Sequence, residues 1–300
     1  MSVRVLNGRL SKMKRRGRFA GSNPCLFVVS LVFVAMAMAQ APPPGGPPAG
    51  GPPPNGPPGA PAAPFALPPL PADAPKPSPD PRNLEGTWFH GQPLTFRMET
   101  DMYGSPLPFT AKGRRIRDRR VKSTYEDGLP YVNASAECKP PGQPWQLDLN
   151  FPFQIYQSSK ELVFVFQEYH GIWNIRMNQP HRKSGRREYF GDSVGRWDGD
   201  TLVVDTTGYK QGLWLDVDGT PTSAKVHVVQ RIRRIDYGDP KLEIVTTIDD
   251  SEMYTSPWSM VRIYAWRPDK MIFDEYNCEW QVGAPDGLAR YGLVPEPPEE

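Results

Sequence analysis

The 300-residue sequence predicts an all-β fold: an antiparallel meander closing into a barrel, with few or no long helices. Three observations carry that expectation. Short segments rich in Val, Ile, Phe, Tyr and Trp recur along the chain, compact turn signals separate them, and no stretch of ten or more residues repeats apolar positions at i, i+3, i+4 and i+7.

In chain order, the first element is an export signal. Arg4, Arg9, Lys12, Lys14, Arg15, Arg16 and Arg18 precede an almost unbroken apolar run from Cys25 to Ala39, and no acid stands among them. That run falls short of the ~20 residues needed to span a bilayer, and Ala37-Met38-Ala39 offers the small residues a signal peptidase reads. Residues 1–39 therefore read as a signal peptide cleaved after Ala39. The mature protein is expected to be periplasmic or secreted, with no transmembrane segment left. Cys25 has no lipobox before it, which argues against a lipoprotein. The seven basic residues of the signal exceed the whole-chain net charge of +2, so the mature chain carries about −5. Nucleic acid is excluded as a partner on that charge balance.

The second element, residues 40–82, is a Pro/Gly-rich spacer expected to be disordered. From Ala41 to Arg82 it holds 19 of the 37 prolines and almost nothing that could form a core. Such a tether would permit contact with the cell envelope. Composition switches at Asn83, where Leu84, Trp88, Phe89, Leu94 and Phe96 begin a single domain extending to residue 293; the acidic, proline-rich tail 294–300 reads as disordered. Cleavage of the signal leaves two cysteines. A bridge between Cys138 and Cys278 would close a loop of about 140 residues, worth up to ~5 kcal/mol in the chain-entropy model.

Within the domain, strands are expected at 153–157, 161–167, 171–177, 193–197, 201–206, 226–235, 242–248, 259–266 and 271–278. Asp198-Gly199 reads as the central pair of a type I′ hairpin turn, and Tyr237-Gly238-Asp239-Pro240 and Pro268-Asp269 as further turns. A parallel sheet would need crossovers of a dozen or more residues, and the gaps are mostly shorter. Leu242, Ile244, Thr246 and Ile248 share one face of their strand, whereas Leu162-Val163-Phe164-Val165-Phe166 is apolar on both and should be covered on both sides. Nine consecutive strands expose two edges unless the sheet closes, hence a barrel.

The run from Asp192 to Thr206, Asp-Ser-Val-Gly-Arg-Trp-Asp-Gly-Asp-Thr-Leu-Val-Val-Asp-Thr, resembles the signature of a family of exported bacterial proteins with no established activity. The resemblance covers most of residues 84–280. It continues through Trp214-Leu215-Asp216 with Gly219, His227-Val228-Val229 with Arg231, Ile248-Asp249-Asp250, Tyr254-Thr255 with Pro257-Trp258, and Glu275-Tyr276 with Cys278-Glu279. Two positions depart from that pattern: Asp192 stands where related sequences usually have histidine, and Pro221-Thr222-Ser223 where they often have Pro-His-Ser. Gly86-Thr87-Trp88 resembles the Gly-x-Trp opening of lipocalin-like barrels.

For chemistry, Glu168 and His170 lie two apart on an expected strand, which would place both on one face with His227 or Asp192 opposite. His170 and His227 are the weak metal candidates, since none of the four histidines sits in an H-x-H or H-E-x-x-H spacing. Gly191-Asp192-Ser193-Val194-Gly195 matches the G-x-S-x-G elbow by letters, but Ser193 opens a hairpin strand rather than a strand-to-helix turn. His227, Val229, Arg231 and Arg233 share one strand face. Facing inward beside Glu168, Arg176 or Arg262, that face would bind an anion; facing outward, it pairs with neighbouring acids. Trp173, Trp197, Trp214, Trp258 and Trp266 either stack a ligand or fill the core.

No motif names a cofactor. The function expected is binding of a small apolar or aromatic molecule in the barrel, with Glu168, His170, Arg176, Asp192, Trp197, His227 and Arg231 as candidate ligand contacts. The alternatives are an exported enzyme using the Glu/His/Asp cluster for acid/base or metal-assisted chemistry, and a structural envelope protein.

Overall fold

The computed structural model describes residues 67–90, 97–149, 151–183, 185–236, 238–270 and 294–298, all within the second of two compact units, Gly51–Glu300. The expected signal peptide, the expected strand 271–278 and Cys278 lie outside the described residues. No helix among the described residues is long and apolar enough to cross a membrane.

Nine strands form a closed barrel in sequence order: β1 Gly86–His90, β2 Phe153–Gln157, β3 Glu161–Phe166, β4 Ile172–Met177, β5 Asp192–Asp198, β6 Thr201–Thr207, β7 His227–Asp236, β8 Pro240–Asp249 and β9 Trp258–Trp266. The closing seam is β1 against β9, with Trp88 opposite Trp266. The all-β barrel is thus the architecture; β2 to β9 each lie within a residue or two of an expected span, whereas β1, which closes the barrel, is not among the expected strands.

One pairing departs from the meander. β4 and β5 run parallel, with Ile175 opposite Ser193 and Met177 opposite Gly195. Residues 178–191 between them supply the dozen or more residues that a parallel return requires. A smaller correction concerns the β5–β6 hairpin. Asp198 pairs with Thr201, so the central residues are Gly199 and Asp200 rather than Asp198 and Gly199. Only Gly199 has positive φ, at 58°, the pattern of a turn with glycine at its first central position.

Alternation decides what faces inward. Leu242, Ile244, Thr246 and Ile248 of β8 are buried as expected, and Leu162, Phe164 and Phe166 of β3 point into the barrel while Val163 and Val165 are half-buried. Trp88, Phe153, Ile155, Phe164, Trp173, Ile175 and Tyr264 fill one half of the interior. A second cluster, including Tyr209, Val228, Ile248, Trp258 and Met260, fills the other. Between them lies a thin polar layer, in which Ser193 Oγ accepts from Trp173 Nε1 at 2.8 Å and lies 2.9 Å from Thr206 Oγ1.

The sequence pattern misses a 15-residue helix, α1 Ala111–Tyr125. Its start is capped by Thr110, whose hydroxyl accepts from Gly113 N–H at 3.0 Å. Its buried residues, Gly113, Ile116, Arg117, Arg120 and Ser123, recur at one-turn spacing, but only Ile116 is a large hydrophobe. The helix docks through its arginines instead. Arg117 bonds Thr220 Oγ1 at 3.0 Å and Asp218 Oδ2 at 3.1 Å; Arg120 bonds the Gly219 carbonyl at 2.8 Å and lies over the Trp214 ring. Gly113 lets α1 approach the loop after β8, since a Cβ there would sit 2.2 Å from the Met253 carbonyl oxygen. Gly113→Ala should therefore destabilise by about 1–3 kcal/mol through overpacking, although helix propensity alone would stabilise by about 0.5–1 kcal/mol. The sign of the change in urea midpoint separates the two effects.

Contacts to the barrel begin before Asn83. Trp266 Nε1 donates to the Pro75 carbonyl at 2.7 Å, and Arg234 Nη1 reaches the carbonyls of Ser78, Asp80 and Asn83. The end of the proline-rich segment lies against the strands because its carbonyls, which have no partners within an extended chain, accept from these side chains. At the other terminus, expected to be disordered, Val294 forms a parallel bridge with Tyr131.

Candidate functional site

The outward faces of β4 to β7 carry a continuous string of charged groups. Asp192 opens β5 beside Arg176 of β4, whose Nη2 donates to Asp192 Oδ1 at 2.9 Å. His181, in the crossover between those strands, lies with Nδ1 3.1 Å from Asp192 Oδ2 and Nε2 2.9 Å from Asp205 Oδ1 on β6. His227 at the start of β7 brings its Nε2 within 3.0 Å of the same Asp205 oxygen. The string thus runs Arg176, Asp192, His181, Asp205, His227. A neutral imidazole has one N–H, so His181 can donate to both carboxylates only with a proton on each nitrogen. Burial pushes the Asp192 carboxyl up, but bonds from the Arg182 N–H, His181 and Arg176 outweigh it and hold the group below its usual range.

Beside this string lies a groove of about 430 Å³ on the outside of the barrel. Ile172, Tyr189 and Phe190 give it apolar surface, and Arg182, Arg186, Arg187 and Lys210 line it with positive charge against Glu188 and Asp192. Ile172 is 60% exposed, so its side chain is open to a ligand in the groove. The Lys210 ammonium lies over the Tyr189 ring at 4.5 Å, while Arg187 Nη1 donates to the Tyr209 carbonyl at 3.1 Å.

Of the expected site residues, Arg176, Asp192 and His227 come together in this string. Glu168 and His170 do not. They occupy a 3-10 turn after β3 in which Tyr169 and His170 have φ of 58° and 45°, so the expected placement on one strand face is incorrect. The left-handed backbone ends the period-two alternation on which that expectation rested. Trp197 lies elsewhere, with the Arg82 guanidinium 6.0 Å from its ring centroid, and Arg231 pairs in solvent with Asp198 at 3.0 Å. The His227/Arg231/Arg233 face therefore points outward, Arg233 meeting Glu243 at 2.6 Å. Arg262 bonds both carboxylate oxygens of Asp148, at 2.7 and 3.0 Å. Among the described residues no group of three or more His, Cys, Asp or Glu is arranged to hold a metal ion.

His181, Asp205 and the basic residues 182–187 were not singled out from sequence. The signal that points to them is local: Arg182, Lys183, Arg186 and Arg187 crowd one short loop beside His181.

Glu168 has its own electrostatics. Burial, with no opposing charge among the causes, raises its carboxyl to about 7. Between the unfolded value near 4.5 and about 7 the folded state binds the extra proton, so this group's favourable contribution is fullest below that window and is lost as pH rises through it. Glu168→Gln should remove that slope and raise stability above pH 7 by about 1 kcal/mol, after discounting for its solvent-facing part. Urea titrations at pH 5 and pH 8 check the difference.

Most residues of the downstream motifs build scaffold rather than site. Asp216 accepts from Met98 N–H, Thr220 N–H and the Thr220 hydroxyl, Asp250 accepts from Ser223, and the Tyr254 hydroxyl donates to the Pro221 carbonyl. Trp214 stacks on Trp145 with ring centroids 6.4 Å apart. Comparison with family models, with curated proteins and with solved structures finds no match to this chain.

Proposed function

We propose that this is an exported binding protein whose ligand is a small aromatic or apolar molecule carrying an anionic group, held in the groove outside β4 and β5. The observation that carries the reading is the pairing of apolar surface, the exposed Ile172 and the half-buried Tyr189, with four basic residues in one concavity on a chain whose net charge after signal removal is negative. A local cationic site on an acidic protein concentrates anions against the global field. Packing inside the barrel supports placing the ligand outside it, because Trp88, Phe153, Phe164 and Trp173 occupy the interior. The His181 string braces the floor, its charges pairing with one another. Export by a cleaved signal, a bridge between Cys138 and Cys278, and kinship with the exported family that shares the Ser-Val-Gly-Arg-Trp motif belong to the same proposal.

The test is calorimetric titration of the mature protein with phenyl phosphate, benzoate and benzyl alcohol. The two anions should bind with Kd at or below about 1 mM, and benzyl alcohol should not bind. Arg186→Gln with Lys210→Gln, both at exposed positions, should weaken the anions about tenfold without changing the circular dichroism spectrum. Equal binding of alcohol and anion, or unchanged affinity in the double variant, overturns the reading.

A second reading keeps the ligand at the barrel mouth. Gln143 has both amide atoms buried without a partner among the described residues, as have Trp145 Nε1 and Gln146 Oε1 nearby in the chain. Binding that survives the double substitution and is lost in Gln143→Leu would assign the ligand there.

A further inference from the structure

Away from the groove, helix α1 carries a built carboxylate site. Arg120 is buried, and its guanidinium is oriented on both sides, Nη1 donating to the Gly219 carbonyl at 2.8 Å and the plane lying 4.8 Å from the Trp214 ring centroid. Its remaining donors meet Glu296 of the C-terminal tail in a two-pronged bond, Nε to Oε1 and Nη2 to Oε2, each at 2.9 Å. Arg119 Nη2 adds a third bond to Oε1 at 2.8 Å, while Arg119 Nε is buried with no acceptor among the described residues. Beyond Glu296 a channel of about 850 Å³ continues between Pro297 and Pro298 and the α1 residues Lys112, Arg115, Ile116 and Arg119, with Asp118 the one acid among its lining residues.

This arrangement exceeds what tethering a terminus requires. A preorganised fork with a stacked guanidinium is how proteins recognise a carboxylate specifically. Proline on either side of Glu296 pre-extends the segment and lowers the entropy lost on docking. The tail is therefore a ligand carried by its own receptor. Tethering gives it an effective concentration of about millimolar, which an outside peptide must exceed to displace it.

We propose that Arg119, Arg120 and the adjoining basic channel form a docking site for acidic, proline-flanked peptide segments, and that residues 294–298 fill it in cis. Freed of the cis glutamate, the site takes the same segment in trans.

The experiment uses full-length mature protein and a fluorescein-labelled peptide of the tail sequence, VPEPPEE. Fluorescence anisotropy should show Glu296→Gln protein binding the peptide at least about tenfold more tightly than wild type, since the tethered competitor has lost its charge. A peptide with glutamine at the position of Glu296 should bind the same variant about tenfold more weakly. Arg119→Gln added to Glu296→Gln should weaken the original peptide about tenfold. Arg119 is half-exposed, so this substitution spares the buried Arg120, and circular dichroism confirms the fold. Equal affinity of wild type and Glu296→Gln for the peptide, equal affinity of the two peptides, or indifference to Arg119→Gln overturns the proposal.

Discussion

Asp218→Ala should lower the stability of the folded domain by about 3–5 kcal/mol, because it strands a buried guanidinium. Asp218 is 4% exposed, and its carboxylate faces Arg117 Nη2 at 3.1 Å, the Tyr125 hydroxyl at 2.6 Å and Arg97 Nε at 3.5 Å. With the carboxylate gone, Arg117 keeps its bond to Thr220 and an approach to the Asp218 carbonyl at 3.5 Å, and the Asp216 carboxylate that also attracts it is held by Met98 and Thr220 rather than bonded to it. Replacing both partners, as Arg117→Met with Asp218→Leu, should recover most of the loss, since two apolar side chains of similar volume need no counter-charge. Urea unfolding of the two singles and the double gives the coupling directly. A single-variant loss below about 1 kcal/mol would mean that water reaches Arg117 and that α1 does not depend on this pair.

Trp173→Ala should cost about 3–5 kcal/mol, the largest effect expected inside the barrel. The indole on β4 is fully buried, packs on Phe164 with ring centroids 4.6 Å apart, and belongs to the same cluster as Phe153 and Ile175. It also contributes the donor to Ser193 across the β4–β5 pair, the one parallel junction of the barrel. Trp173→Phe separates the two roles. Most of the ring volume remains, so the residual loss of about 1–2 kcal/mol reports the hydrogen bond and the smaller void. Thermal unfolding followed by circular dichroism distinguishes the variants, and equal losses in both would place the energy in the bond rather than in the packing.

How legible the fold was depended on whether burial followed a period. β8 was readable because Leu242, Ile244, Thr246 and Ile248 alternate with polar or half-buried neighbours, and the β5–β6 hairpin because Gly199 follows Trp197-Asp198 and precedes the β-branched run of β6. Helix α1 was not, because its buried stripe is written in Arg117 and Arg120, which a hydrophobic pattern scores as surface. The candidate site was legible in part. Arg176, Asp192 and His227 stand on strands whose alternation could be counted, whereas His181 reaches them from a crossover with no period. Glu168 and His170 were misplaced by reading them as strand residues, whereas β3 ends at Phe166 and the chain turns through a 3-10 segment at Glu168–His170.

By itself the sequence determined that strands form, roughly where they start and stop, and which side chains share a face, because backbone propensity and two-residue alternation are local properties. Tertiary structure alone decided that β4 and β5 run parallel and that β1 closes on β9. It also decided that the histidine and arginine face of β7 looks outward and that a tail glutamate seats in a buried arginine fork. Each of those outcomes sets partners far apart in the chain against the cost of desolvating them, and that balance is defined only once the barrel has closed.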